Sequence, residues 1–149
     1  MKPPVSLDVL TEEWMKDAPI DETEPGRELA KVPVLHAKYL NILSYHKIRV
    51  AKIMTDYNNL KSVKFQYYKG DLNNPEDLAH YGLVPFERKA GKDVTIYLDQ
   101  DKDLTQLLLK KIIHQEIVDY CTAVLKELNN RTWQLKSIVD WEKSMRPNG

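Results

Sequence analysis

One cysteine, Cys121, occurs in the chain. An intrachain disulfide is therefore impossible, and a reducing, cytoplasmic setting fits best. Long apolar runs are missing too. No stretch approaches the roughly 20 residues that a membrane span needs, so no membrane partner is expected. The opening Met1-Lys2-Pro3-Pro4-Val5 lacks the apolar run of a signal peptide. Glycine is scarce, with five residues in 149, and no G-x-G-x-x-G occurs. Ala90-Gly91-Lys92-Asp93 is not a P-loop, because it lacks the earlier glycine and the hydroxyl after lysine. Metal-site patterns are absent as well. His36, His46, His80 and His114 form no H-E-x-x-H, and Asp77 with His80 is only a distant relative of the paired Glu-x-x-His of di-iron bundles. No serine sits in a nucleophile elbow, and Cys121 on an apolar helix face reads as buried and inert. These absences lead away from an enzyme: no catalytic residue, no metal and no cofactor is expected.

What the chain does have is segregated charge. Its formal net charge is zero, yet residues 1–30 sum to −5, 31–70 to +7, 71–101 to −4 and 102–149 to +2. A neutral protein with one strongly basic segment can bind a polyanion locally. The other reading of the same pattern is a solvated helix face that pairs with its acidic flanks.

Periodicity predicts a single helical domain over 1–149. Ser6 is the expected N-cap of a helix over 7–18, whose apolar face is Leu7, Leu10 and Trp14. Pro19 ends it, and the acidic stretch from Ile20 to Gly26, with Pro25-Gly26, reads as a linker or turn. After Pro33 neither glycine nor proline recurs until Gly70. The helix expected over 34–69 would be about 54 Å long. Its stripe of Leu35, Tyr39, Ile42, His46, Ile53, Tyr57 and Leu60 suggests coiled-coil-like packing against partner helices. Residues 70–103 read as an irregular insert, with a short helix near 75–81 capped by Asn74 and an extended piece at Val94–Leu98. A last helix is expected over 104–145, capped by Asp103. Its stripe is Leu109, Ile113, Ile117, Tyr120, Val124 and Leu128, resumed by Leu135 and Ile138. Asn129-Asn130 mark a possible break, and Pro147-Asn148-Gly149 a frayed end. The fold class is thus all-α, a short N-terminal helix plus two long antiparallel helices joined by the insert.

The basic helix interleaves cations with rings. Lys38, Tyr45, Arg49 and Lys52 fall on one face, and Lys61, Lys64 and Tyr68 on another near the C-terminal end, flanked by Phe65, Tyr67 and Lys69. Single-stranded nucleic acid is held in this manner, cations following phosphates while rings stack on unpaired bases. The alternative stays open at this level: Lys64 and Lys69 would also suit the helix C-terminal dipole, and the aromatics could be core. Of Tyr67 and Tyr68, one is expected to be core.

The order of these features resembles the UvsY family of recombination mediators from T-even-like phages. The acidic opening Leu7-Asp8-Val9-Leu10-Thr11-Glu12-Glu13-Trp14-Met15-Lys16-Asp17, followed by Ile20-Asp21, is similar to that family's start. Leu35-His36-Ala37-Lys38-Tyr39-Leu40 resembles the beginning of its long helix. Leu60-Lys61-Ser62-Val63-Lys64-Phe65-Gln66-Tyr67-Tyr68-Lys69-Gly70 resembles its basic helix end running into Tyr-Tyr-x-Gly. Asp119-Tyr120-Cys121 and Ile138-Val139-Asp140-Trp141 match the last helix in pattern. The family motif carries two basic residues before Tyr-Tyr. Lys64 holds one of those places, whereas the other falls on or beside Ser62, with Lys61 one position earlier.

The resemblance implies an all-helical fold assembled in a ring as a homo-oligomer of about six or seven subunits. It implies single-stranded DNA, a phage single-strand-binding protein and a RecA-like recombinase as partners. The action would be to help the recombinase replace the binding protein on DNA, in the cytoplasm of the infected bacterial host. The residues expected to meet DNA are Lys61, Lys64, Tyr67, Tyr68, Lys69, Lys38, Arg49 and Lys52. Trp133 and Trp141, in a terminal segment, are expected to pack on the basic helix or on a neighbouring subunit, the latter favoured. The rival reading is a structural helical-bundle or phage assembly subunit that does not bind DNA.

Overall fold

Ser6 opens the first helix as its residue type predicts: in the computed structural model, its hydroxyl accepts a hydrogen bond from the Val9 amide. The structure describes residues 6–87 and 93–146. The expected frayed end Pro147-Asn148-Gly149 lies outside them, as do Ala90, Gly91 and Lys92. The described residues form five helices and no strand: α1 Leu7–Asp17, α2 Pro25–Lys69, α3 Pro75–His80, α4 Val94–Asp99 and α5 Lys102–Met145. The all-α class with two long helices is thus as expected. Among the described residues no helix is long and apolar enough to cross a membrane.

Four boundaries differ from expectation, each for a local reason. α2 begins at Pro25, not after Pro33. Asp21 closes a turn through its carboxylate, which accepts from the Thr23 amide at 2.9 Å. Pro25 then sits at the first helical position, where a missing N–H costs nothing. Pro33 lies inside the helix, at a cost of about 3 kcal/mol, while Pro25 and Glu28 of the first turns are buried. Val94–Asp99 is helical rather than extended, because Asp93 caps it by accepting from the Thr95 amide. α5 is capped by Asp101, not Asp103: its carboxylate accepts from the Leu104 amide at 2.9 Å. α5 also passes through Asn129-Asn130 without a break. Leu128, Arg131 and Leu135 around that pair are buried, and their burial outweighs a propensity deficit of well under about 1 kcal/mol per asparagine.

Both α2 and α3 end on a glycine in the left-handed region. Gly70 has φ +94° and Gly82 φ +65°. The Asp71 amide reaches back to the Gln66 carbonyl at 3.0 Å, and the Leu83 amide to that of Leu78 at 2.8 Å. These are the bonds of a Schellman cap, which demands a residue tolerant of positive φ.

The chain divides into two compact units. The first comprises residues 1–48 and 113–149, the second residues 49–112. In the first, α1 packs with the early part of α2 and the later part of α5 around Leu10, Tyr39, Ile42, Ile117, Cys121, Val124 and Leu128. Contacts there run antiparallel: Asp17 of α1 meets both Lys38 and Arg131, while His46 meets His114, Nδ1 to Nδ1, at 2.8 Å. Arg131 donates to the Asp17 and Ala18 carbonyls and lies over the Trp14 ring, so it terminates α1 and fastens it. Burial pushes the Cys121 thiol up to about 11, consistent with an inert core position. In the second unit Tyr67, Leu78, Val94 and Leu104 are buried, beside a cluster of rings and charges.

One expected stripe shifts register. Ile117, Val124 and Leu128 are buried, but Leu109 and Ile113 are more than half exposed. The buried positions of α5 from Ile117 onward, 117, 121, 124, 128, 131 and 135, follow the 4–3 spacing of a 3.5-residue repeat. A stripe stepped back by fours from Ile117 leaves that seam.

Candidate nucleic-acid interface

The end of α2 in the second unit is built around one buried ion cluster. Lys64 is 5% exposed. Its ammonium lies 3.0 Å from Asp101 and 2.9 Å from Asp103. Asp101 also accepts from the Tyr68 hydroxyl and from the Leu104 amide, so the carboxylate that caps α5 also anchors α2. Burial works against the Lys64 charge, yet the hydrogen bonds to Asp103 and Asp101 more than offset it and hold its pKa above the ordinary lysine value. Burial likewise opposes the Asp101 carboxylate, but hydrogen bonds from Tyr68, Leu104 and Lys64 hold it below the ordinary range. Burial first, then the bond to Asp101, raise the Tyr68 phenol far above its usual value.

Four rings pack beside this cluster. Tyr68 stacks on Tyr97 with centroids 5.6 Å apart, and Phe86 meets Tyr68 and Tyr97 edge-on at 5.0 Å. Tyr67 lies 5.3 Å from Phe86 and donates its hydroxyl to the Val84 carbonyl. Tyr67 is buried and Tyr68 half-buried. Both tyrosines therefore hold the insert against α2, Tyr67 as the core residue.

The remaining expected site residues fall elsewhere. Lys38, in the first unit, is paired with Glu13 at 2.8 Å and Asp17 at 2.6 Å, and Tyr39 donates to the same Asp17. Burial opposes the Lys38 charge, but these bonds raise its pKa. Hydrogen bonding to Lys38 lowers that of Glu13. In the second unit Arg49, Lys52, Lys61 and Lys69 are exposed. Lys61 lies over the Tyr57 ring, and Lys69 over the Phe65 ring. Lys69 also lies 3.6 Å from Asp71 in a solvent-exposed pair. Lys52 and Lys61 stand nine residues apart, two and a half turns, and so on opposite sides of the helix. The eight residues thus divide into a buried clamp of Lys64, Tyr67 and Tyr68, an ion pair at Lys38, and the exposed Arg49, Lys52, Lys61 and Lys69.

The clamp was within reach of sequence reasoning. The stripe Ile53, Tyr57, Leu60 advances by four and three, and the same steps land next on Lys64 and Tyr67. The acidic partners, Asp101 and Asp103, carry no such signal, because their role depends on where α5 starts. No group of three or more His, Cys, Asp or Glu side chains suited to a metal ion occurs among the described residues.

Comparison with known proteins places this arrangement in a family. The model of the family described as "Recombination, repair and ssDNA binding protein UvsY" matches residues 13–146. The "Recombination protein uvsY" of Enterobacteria phage T4 is 27% identical over 134 residues, covering 90% of this chain and 93% of its own. Two crystal structures of the bacteriophage T4 recombination mediator protein UvsY superpose with TM-scores of 0.79 and 0.75 at 24% identity. They cover 94% of this chain and 97% and 98% of theirs, a likeness of fold. With nearly its whole length matched, the chain belongs to the UvsY family of recombination, repair and single-stranded-DNA-binding proteins.

Proposed function

We propose that the chain acts as a recombination mediator: it binds single-stranded DNA as a homo-oligomer and helps a RecA-like recombinase displace a single-strand-binding protein. The family match over residues 13–146 carries this reading. The mediator role draws on the T4 relative, whose crystal structures bear that description. The action is binding rather than catalysis, so any nucleotide hydrolysis belongs to the recombinase. The setting is the cytoplasm of an infected bacterial host.

Assembly of about six or seven copies in a ring is part of the proposal. Support comes from the apolar surface that α5 leaves uncovered. Trp133 is 70% exposed, Trp141 66% and Met145 65%, with Ile112 and Ile113 also open to solvent. Indole rings left in water favour a neighbouring subunit over the chain's own α2, since aromatics concentrate at interfaces. A ring repeats a weak cationic surface, and linked sites raise effective concentration.

Two measurements test the reading. Affinity for oligothymidylate should exceed that for a blunt duplex at matched salt. It should also fall with salt at a log–log slope near −0.7 per phosphate neutralised. On DNA already coated with single-strand-binding protein, adding this chain should shorten the lag before the recombinase hydrolyses ATP. The rival, a structural or assembly subunit, draws on the internal neutralisation of Lys38 and Lys64; it predicts no salt-sensitive binding at all.

A further inference from the structure

Lys64 and Tyr67 are buried, and an exposed edge of the same helix runs beside them. Lys61, Phe65 and Lys69 succeed one another at intervals of four residues, and all three are exposed. Each step of four rotates about 40° around the helix axis and rises about 6 Å. The three therefore form one oblique ridge, with a ring between two cations. Phe65 is 42% exposed, whereas the other large apolar side chains of residues 49–69 are at least partly buried. The Lys69 ammonium stands 5.9 Å from the centre of the Phe65 ring. Among the described residues Lys61 forms no ion pair. Lys69 has only its exposed partner Asp71, and such surface pairs contribute little.

We infer that this ridge is the strand-contacting surface of α2: Phe65 stacks on an unpaired base while Lys61 and Lys69 meet the flanking phosphates. The inference rests on the single-stranded-DNA reading above and assigns its contact residues. Three features point to an unpaired nucleic acid strand. An exposed ring offers a π-face to any base, and cations on either side of it along the ridge match a strand whose phosphates flank that base. The ring and both charges also stay exposed, whereas a duplex presents no open base face. Lys64 and Tyr68, which hold the end of α2 to Asp101, and Tyr67, which bonds the Val84 carbonyl, then act as positioning residues that fix the slope of the ridge.

The test uses the full chain with two probes of equal length, oligothymidylate and an abasic oligonucleotide. Phe65→Ala keeps the helix, since alanine is the best helix former. It should weaken oligothymidylate binding roughly 5- to 100-fold, as loss of a base–ring stack does. Binding to the abasic strand should not change, and Phe65→Tyr should restore the loss. Lys61→Gln with Lys69→Gln should weaken both probes and flatten the salt slope by about 0.7 for each lysine. Unchanged oligothymidylate binding by Phe65→Ala would overturn the assignment while leaving the DNA reading standing. Equal loss on both probes, with a changed mass in sedimentation, would also overturn it by placing Phe65 against another protein surface. If the unaltered chain binds neither probe, the single-stranded-DNA reading fails, and this assignment with it.

Discussion

Segments of the same two helices are held together by different means in the two units. In residues 1–48 with 113–149, the centre is apolar: Leu10, Ile42, Ile117, Val124 and Leu128 pack with Tyr39 and Cys121, and the ions Lys38, Glu13 and Asp17 lie toward the edge. In residues 49–112 the centre includes a buried ion pair. Lys64 and Asp101 are buried together, beside a cluster of rings and the aliphatic Leu78, Val94 and Leu104. Apolar packing is tolerant and additive, whereas a buried ion cluster is all-or-none: intact it fixes one geometry, and with one member removed it strands a charge. The first unit therefore suits a base that holds its shape, and the second a surface whose register must be set.

Perturbing each centre separates these modes. The largest effect is expected from Leu128→Ala, which opens a cavity in the fully buried cluster and costs about 2–5 kcal/mol in denaturant unfolding. Next comes Lys64→Ala, which leaves Asp101 buried without its cation, at about 3 kcal/mol. Segment-resolved hydrogen exchange should show residues 49–112 opening while the Ile117–Leu128 stretch stays protected. Loosening of both regions alike would erase the distinction.

Acid should reproduce that pattern without mutation. The folded pKa of Asp101 lies below its ordinary 3.8, so its contribution is complete above 3.8 and fades as pH falls through the lower, folded value. Residues 49–112 should then loosen before the apolar cluster does, read by the same exchange experiment. In base the raised pKa of Lys64 preserves the clamp until pH climbs past the ordinary 10.5.

Tyr68→Phe removes only the hydroxyl bond to Asp101 and should cost about 1.5 kcal/mol, as expected for a bond to a charged acceptor. The smallest effect on folding belongs to Trp133→Ser with Trp141→Ser, within about 0.5 kcal/mol per surface site. That pair should nonetheless lower the mass seen in sedimentation, since both rings are exposed in the single chain. Truncation after Leu128 is a poorer probe, because it also removes Arg131 and the fully buried Leu135.

Much of this arrangement was legible in the residues themselves. Ser6 and Asn74 declared their caps, and Tyr39, Ile42 and His46 lie on the stripe their spacing predicted. The family resemblance came from ordered motifs and holds over residues 13–146. Misreadings arose where local propensity yields to packing. Pro33 reads as the boundary before the long helix, yet the helix already starts at Pro25 after the Asp21 turn. Leu109 and Ile113 fit a period near four, but the seam keeps a period of 3.5. Around the Tyr-Tyr motif, cations and rings look alike whether they face a phosphate or a buried aspartate. The continued stripe points Lys64 inward, but that aspartates await it there depends on the start of α5 at Lys102.

Arg131 holds the carbonyl end of α1 from a position more than a hundred residues later in the chain. Synthesis proceeds from the N-terminus at about 5–20 residues per second, so α1 leaves the ribosome long before its fastening exists. Until the second half of α5 follows, α1 meets Lys38 and Tyr39 of α2 but not Arg131, so its seat is incomplete. Closing so distant a contact is entropically slow. α1 is therefore fully fastened only once residue 131 has been made, and a pause in translation before it would leave the Asp17 and Ala18 carbonyls without that partner.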